Sequence, residues 1–203
     1  MTLRDEKLAV RAASLAARDA LKPEHRARAS AVIAERVMAL PALASAKKVA
    51  LFASIRSEVD SGPLDAALRA RGIAVAYPRI VRSAIGETRT DLVFHVAERE
   101  ELHAAEMTPV NPGSWRLAIP EPPDDPATIL ALTEIDVFLI PGVAYDDAHR
   151  RLGYGRGYYD RVLEKAPHAL KVGIAFEAQI VPRVPTGPGD IPVNVIVTEE
   201  KVR

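Results

Sequence analysis

Five short, almost wholly apolar runs recur along this 203-residue chain, each bounded by glycine, proline or charged residues: KVALFAS (48–54), IAVAYP (73–78), IDVFLIPG (135–142), KVGIAF (171–176) and VNVIVT (193–198). A strand covered on both faces reads as a continuous apolar run rather than an alternating one. Helical segments lie between the runs. GPLDAALRARG (62–72) has Pro63 early and Gly72 just past its end, and GYYDRVLEKA (157–166) sets Tyr158, Val162 and Ala166 at helical spacing. The first of these units, strand–helix–strand, is expected to be parallel and right-handed. The pattern predicts an α/β fold: a doubly wound, mostly parallel sheet flanked by helices, in a single domain spanning 1–203.

Two helices precede the first strand. In the opening segment Leu8, Ala12 and Leu15 recur on one helical stripe and Lys7, Arg11, Ser14 and Arg18 on another. A second helix is expected from Pro23, carrying Ala29, Val32, Ile33, Arg36, Val37 and Leu40 inward until Pro41 ends it. DLVFHVA (91–97) reads as a further strand. The proline-rich stretch 107–126 reads as a long surface connection.

Lysine plus arginine equals aspartate plus glutamate at 27 each, so no global field recruits nucleic acid or an anionic membrane. There is no cysteine, which removes thiolate chemistry and Cys-ligated metals. Neither a signal peptide nor a membrane span is readable, and a cytoplasmic monomer is expected.

The densest chemistry is RLGYGRGYYD (151–160). It follows the 135–142 strand and leads into a helix, where doubly wound sheets place ligands. Gly153, Gly155 and Gly157 bare backbone N–H groups, a following helix adds its positive end, and Arg151 and Arg156 bring cationic donors, which together make an anion cradle. Neither the P-loop pattern nor the dinucleotide G-x-G-x-x-G is present. Glycine spacing alone is equally compatible with a flexible turn; Tyr158, Tyr159 and Asp160 favour a site. Considered singly, Asp160 fits a first-turn acid complementing the helix dipole.

The longer stretch LIPGVAYDDAHRRLGYGRGYYDRVL (139–163) resembles the signature of the 5-formyltetrahydrofolate cyclo-ligase family, also called methenyltetrahydrofolate synthetase. Supporting pieces follow in the family's order: Lys7-x-x-x-Arg11, SEVD (57–60), IPEP (119–122) and DIPVNVIVTE (190–199). The resemblance implies ATP- and Mg²⁺-dependent closure of 5-formyltetrahydrofolate to 5,10-methenyltetrahydrofolate, with release of ADP and phosphate through a phosphorylated formyl group.

By position, the resemblance makes Lys7, Arg11, Arg151, Gly153, Gly155, Arg156, Gly157 and Tyr159 the ATP contacts. It makes Arg156 and Tyr158 the catalytic residues. Glu58, Trp115, Tyr154 and Tyr158 form the folate side, and Asp160 and Asn194 the metal site. Asn194 stands where the family commonly has aspartate, so Asp160 would carry more of the ion. Arg156 stands where the family varies among lysine, arginine and glycine. Without the resemblance, Lys7 and Arg11 read as a solvated helix face, Glu58 as a loop acid, and Trp115 as core. Two other readings remain: a non-catalytic folate- or nucleotide-binding homologue, and a sugar-phosphate isomerase on a related sheet.

Overall fold

The computed structural model describes residues 2–82, 90–104 and 119–203. The chain opens with α1 (Leu3–Asp19) and α2 (Pro23–Met38). Helix α1 starts at a reciprocal cap in which Thr2 Oγ1 accepts from the Asp5 N–H at 3.2 Å and the Thr2 N–H donates to Asp5 Oδ2 at 3.0 Å. Pro23 is the first residue of α2, as expected. Pro41 does not simply end that helix: α2 stops at Met38, and Pro41 opens a one-turn helix, α3 (Pro41–Ser45), a position where its missing N–H is no loss.

The sheet follows. Its strands are β1 (Lys48–Ala50), β2 (Ala74–Arg82), β3 (Thr90–Val96), β6 (Ile129–Leu130), β7 (Val137–Pro141), β10 (Leu170–Ile174) and β11 (Val195–Val197), in the order β11-β10-β7-β1-β2-β3-β6. The first five in that order run parallel, while β3 is antiparallel to both β2 and β6. Helix α4 (Gly62–Ala70) joins β1 to β2, and α5 (Tyr158–Lys165) leads from β7 toward β10. Two small two-stranded pairings complete the fold: β4 (His103–Ala104) with β5 (Pro120–Glu121), and β8 (Ala144–Tyr145) with β9 (Arg151–Leu152).

The period of two along each strand divides the core. Val49, Val75, Val137 and Leu139 face α2 and α4, where they meet Ile33, Val37, Leu64 and Leu68. Ala50, Ala76, Phe138 and Ile140 face the other way onto Val162 and Leu163 of α5. Helices therefore cover both faces, and the unsatisfied carboxyl ends of the parallel strands are left to one edge. That edge is where the chain's polar chemistry collects.

Helix α1 is oriented contrary to its apolar pattern. Leu8 is 52% exposed, whereas Ser14 and Arg18 are 3% and 1% exposed. The polar stripe Lys7–Arg11–Ser14–Arg18 faces the protein and Val10 packs against the β8–β9 pair. The physical reason lies at the carboxyl edge, which offers charged and hydroxyl partners to a polar face. Among the described residues, no helix is long and apolar enough to cross a membrane.

Candidate active site

At the carboxyl edge a cavity of about 630 Å³ opens between α1, the ends of β1 and β7, and the segment from β9 to α5. Its rim is the glycine loop. Gly155 has φ +94° and Gly157 φ +64°, backbone states that residues with a Cβ rarely adopt. Gly157 is the N-cap of α5, so the positive end of that helix stands at the cavity. Glycine backbone and a helix N-terminus thus stand together at the rim.

Among the described residues four cationic side chains reach the same end, two from α1 and two from the loop. Arg11 Nε donates to Gly153 O at 2.8 Å, which ties the helix to the glycine loop. Burial pushes the Arg11 guanidinium below its ordinary value, with Asp190 opposing the shift. Lys7 Nζ pairs with Asp190 Oδ2 at 2.5 Å. Arg151 Nη2 donates to Asp160 Oδ1 at 2.8 Å, and its guanidinium carbon lies 5.6 Å from the Tyr159 ring centroid. Arg156 is exposed on the rim and, among the described residues, its side chain is unpaired. Tyr158 lines the wall and carries the Arg161 guanidinium 5.5 Å from its ring centroid.

The other end is apolar with one acid. Phe52, Pro78, Ile80, Leu92 and Ile119 line it, and Glu58 is buried among them at 9% exposure. Glu58 Oε2 accepts from the Ile55 N–H at 3.1 Å, and Oε1 accepts from the Tyr154 hydroxyl at 3.0 Å. Burial pushes the Glu58 carboxyl up, while the Ile55 N–H, Arg18 and the Tyr154 hydroxyl hold it down. Burial, reinforced by the Glu58 charge, pushes the Tyr154 phenol up to about 12. One cavity thus joins a cationic, glycine-lined end to an apolar end closed by a carboxylate. That suits an elongated ligand pair of phosphate chain and flat heterocycle.

The model of the 5-formyltetrahydrofolate cyclo-ligase family matches residues 4–199, nearly the whole chain. The chain belongs to this family. The 5-formyltetrahydrofolate cyclo-ligase of Escherichia coli K12 is 34% identical over 91% of this chain and 96% of its own. The mouse enzyme of the same name is 26% identical over 89% and 87%. Among solved structures, the 5,10-methenyltetrahydrofolate synthetase of Aquifex aeolicus superposes with a TM-score of 0.75 at 32% identity, covering 97% of this chain and 91% of its own. That of Mycoplasma pneumoniae gives 0.70 at 25%, covering 95% and 98%.

Against this family background, Lys7, Arg11, Glu58, Arg151, Gly153, Tyr154, Gly155, Arg156, Gly157, Tyr158, Tyr159 and Asp160 all line the one cavity. Asn194 does not. It is exposed at the amino end of β11, next to Lys171 near the start of β10, and its Oδ1 accepts from the Lys171 N–H at 2.9 Å. That is the edge of the sheet opposite the cavity, so Asn194 is removed from the candidate metal set; its oxygen closes a strand end. The carboxylate that does reach the cavity from this segment is Asp190, four residues earlier. Trp115 lies outside the described residues. Two residues were missed by the site reading. Asp190 could have been found as the acid opening DIPVNVIVTE, and Arg18 as the end of the Lys7–Arg11–Ser14 stripe.

Proposed function

We propose that this protein catalyses the ATP-dependent cyclisation of 5-formyltetrahydrofolate to 5,10-methenyltetrahydrofolate, releasing ADP and phosphate, as a cytoplasmic monomer. The observation that carries this reading is the two-ended cavity, with a cationic glycine loop facing an apolar pocket that ends in Glu58. In this reading ATP lays its phosphates along residues 153–157, between Lys7 and Arg11 on one side and Arg151 and Arg156 on the other. The folate ring lies against Phe52 and Ile80, with Glu58 accepting from its N–H groups and Tyr154 and Tyr158 along its edge.

The chemistry needs little covalent help from the protein. The formyl oxygen attacks the γ-phosphorus and the bond to the ADP oxygen breaks. N10 then adds to the activated carbon, and as the C–O bond breaks the N10 proton leaves with the departing phosphate, which is released as hydrogen phosphate. What the chain supplies is alignment of the formyl oxygen with the phosphate and charge to meet the transferring group. Arg156, exposed at the rim and unpaired among the described residues, is the side chain placed to follow that charge.

The residues present also fit a magnesium ion carried on the phosphates. Among the described residues no three His, Cys, Asp or Glu side chains gather into a metal cage, so the protein alone would not hold it. Magnesium characteristically uses one or two carboxylates and completes its shell with phosphate oxygens and water. Among the described residues Asp160 and Asp190 are the carboxylates at the cationic end. When bound, the ion would neutralise phosphate charge; Arg151 and Lys7 hold those carboxylates in place beforehand.

The test is direct. Purified protein mixed with 5-formyltetrahydrofolate, ATP and Mg²⁺ is expected to develop the near-ultraviolet absorbance of the methenyl product. Absence of any ATP-dependent rise, with any divalent ion, overturns the reading.

A further inference from the structure

Behind Glu58 and Tyr154 lies a buried cation that the cavity itself does not display. Arg18, in the last turn of α1, is 1% exposed. Its Nε donates to Ser57 Oγ at 3.0 Å, its Nη2 donates to Tyr154 Oη at 3.1 Å, and its Nη1 stands 3.9 Å from Glu58 Oε1. Ser57 in turn donates to Asp19. Nη1 is buried and, among the described residues, makes no hydrogen bond.

A guanidinium has only donors, and a phenol has one proton. Because Tyr154 Oη accepts from Arg18, its own proton is directed to Glu58 Oε1. Because Oε1 accepts from Tyr154 and Oε2 from the Ile55 N–H, no oxygen of Glu58 is called upon to donate. We propose that Arg18 is the positioning residue that fixes the hydrogen-bond polarity of the folate end of the cavity, holding Tyr154 as a donor to Glu58 and Glu58 as an acceptor toward the ligand. This rests on the cyclo-ligase reading for the ligand's identity, but not for the polarity itself.

The electrostatics agree with the geometry. Burial alone drives Glu58 toward its protonated form, and a protonated carboxyl would offer the ligand a donor where it needs an acceptor. Among the described residues Arg18 is the cation that acts against this, beside the neutral donors of Ile55 and Tyr154. Among the described residues the other titratable groups facing the pair are Asp19, an exposed carboxylate 4.0 Å from Arg18 Nε on the side away from Glu58, and the Tyr145 and Tyr159 phenols, which burial keeps protonated and which the Glu58 charge pushes further up. Held as an acceptor by the Tyr154 and Ile55 donors, Glu58 selects a ring that presents N–H groups, so Arg18 acts on specificity without touching the substrate.

The experiment compares wild type, Arg18→Met, Arg18→Lys, Tyr154→Phe and Glu58→Gln. It measures 5-formyltetrahydrofolate binding by calorimetry without ATP across pH, the KM values for folate and for ATP, and the titration of Glu58 by carboxyl NMR of the free protein. Arg18→Met is expected to weaken folate binding about tenfold or more, the loss of one charge-assisted contact. The ATP KM should stay unchanged, the loss should deepen as pH falls, and Glu58 should titrate at higher pH. Arg18→Lys should restore the Glu58 titration in part, and Glu58→Gln should lose affinity without the pH dependence. Equal loss toward folate and ATP, or an unmoved Glu58 titration, overturns the proposal. Should Arg18→Met fail to fold, Arg18→Lys and Tyr154→Phe decide it by the same two readouts. If wild type neither binds nor turns over folate, the function reading falls, and the Glu58 titration still decides the polarity.

Discussion

Arg151 and Asp160 are joined across the glycine loop: Arg151 Nη2 lies 2.8 Å from Asp160 Oδ1, which also accepts from the Ile191 N–H at 3.3 Å. The pair ties β9, the start of α5 and the segment leading to β11 into one corner of the cavity. Arg151 is nearly enclosed, at 4% side-chain exposure, while Asp160 keeps 22%. Its Nε is buried and, among the described residues, makes no hydrogen bond, so the guanidinium depends on Asp160 for its charge balance.

Asp160→Asn keeps the shape and removes that balance. It is expected to destabilise the fold by about 2 kcal/mol, below the range for fully buried pairs because Asp160 is partly solvated. Turnover should fall more steeply than stability, because the same carboxylate is proposed to meet the metal ion. Urea unfolding and the rate at saturating Mg²⁺ separate the two; a stability loss with an unchanged rate would make Asp160 purely structural.

Arg156→Ala separates in the opposite direction. The side chain is exposed and unpaired among the described residues, so its loss should change stability by less than about 0.5 kcal/mol. Its place at the rim predicts a fall in kcat of about a hundredfold, as for removal of one donor to developing charge. A fall confined to the KM for ATP would reassign Arg156 to ground-state binding.

The two ends of DIPVNVIVTE give a third test. Asp190 lines the cavity and pairs with Lys7, whereas Asn194 closes a strand end at the far edge. Asp190→Asn should raise the Mg²⁺ concentration for half-maximal rate. Asn194→Asp, although it adds a carboxylate, should leave it unchanged. Metal titration of the rate in both variants checks this, and a response at position 194 would contradict the placement.

What the sequence displayed follows from how each feature is encoded. Strands such as β7 and β10 were legible because burial on both faces leaves a continuous apolar run, as in Val137–Pro141. β2 is longer than its apolar core because β3 pairs with it out to Arg82, a partner no local pattern reveals. The β8–β9 pairing was invisible, since two-residue strands within a polar motif carry no period. The orientation of α1 was hidden for a deeper reason: its inward face is polar, and hydrophobic periodicity alone would place Leu8 inside. The same inversion concealed Arg18, whose role exists only where α1, the Ser57–Glu58 loop and Tyr154 meet.

Tyrosine burial predicts the alkaline limit of the fold. The Tyr154 phenol ionises near the ordinary value of 10.0 when unfolded and only at about 12 when folded. Between those values the unfolded chain has lost a proton that the folded chain keeps, so stability falls as pH rises through that window. Tyr77, Tyr145 and Tyr159 are pushed up by burial in the same direction and steepen the fall. Tyr154→Phe should therefore flatten the dependence of unfolding free energy on pH above 10.0. Urea titrations at several alkaline pH values read this slope, and an unchanged slope would mean that Tyr154 is solvated in the folded protein.

Tyr145 gives the last test, of how the loop is anchored to the sheet. Its ring is wedged between Gly142 and Gly173: a Cβ on either would lie 2.5 Å from a ring carbon. Its hydroxyl donates to Ile140 O at 2.7 Å, and the residue is fully buried. Gly142 directly follows β7 and Gly173 lies in β10 next to its last residue, so Tyr145 fixes β8 against two neighbouring strands of the sheet. Gly173→Ala is expected to cost about 1–3 kcal/mol, the range for overpacking a filled site, with a matching fall in urea midpoint. Tyr145→Phe should cost only about 1 kcal/mol, the net worth of one hydrogen bond. In the double variant Gly173→Ala with Tyr145→Leu, much of the glycine penalty should disappear, because the added methyl group no longer meets a ring. Additive losses in that cycle would show that Gly173 is required for the strand itself and not for the tyrosine.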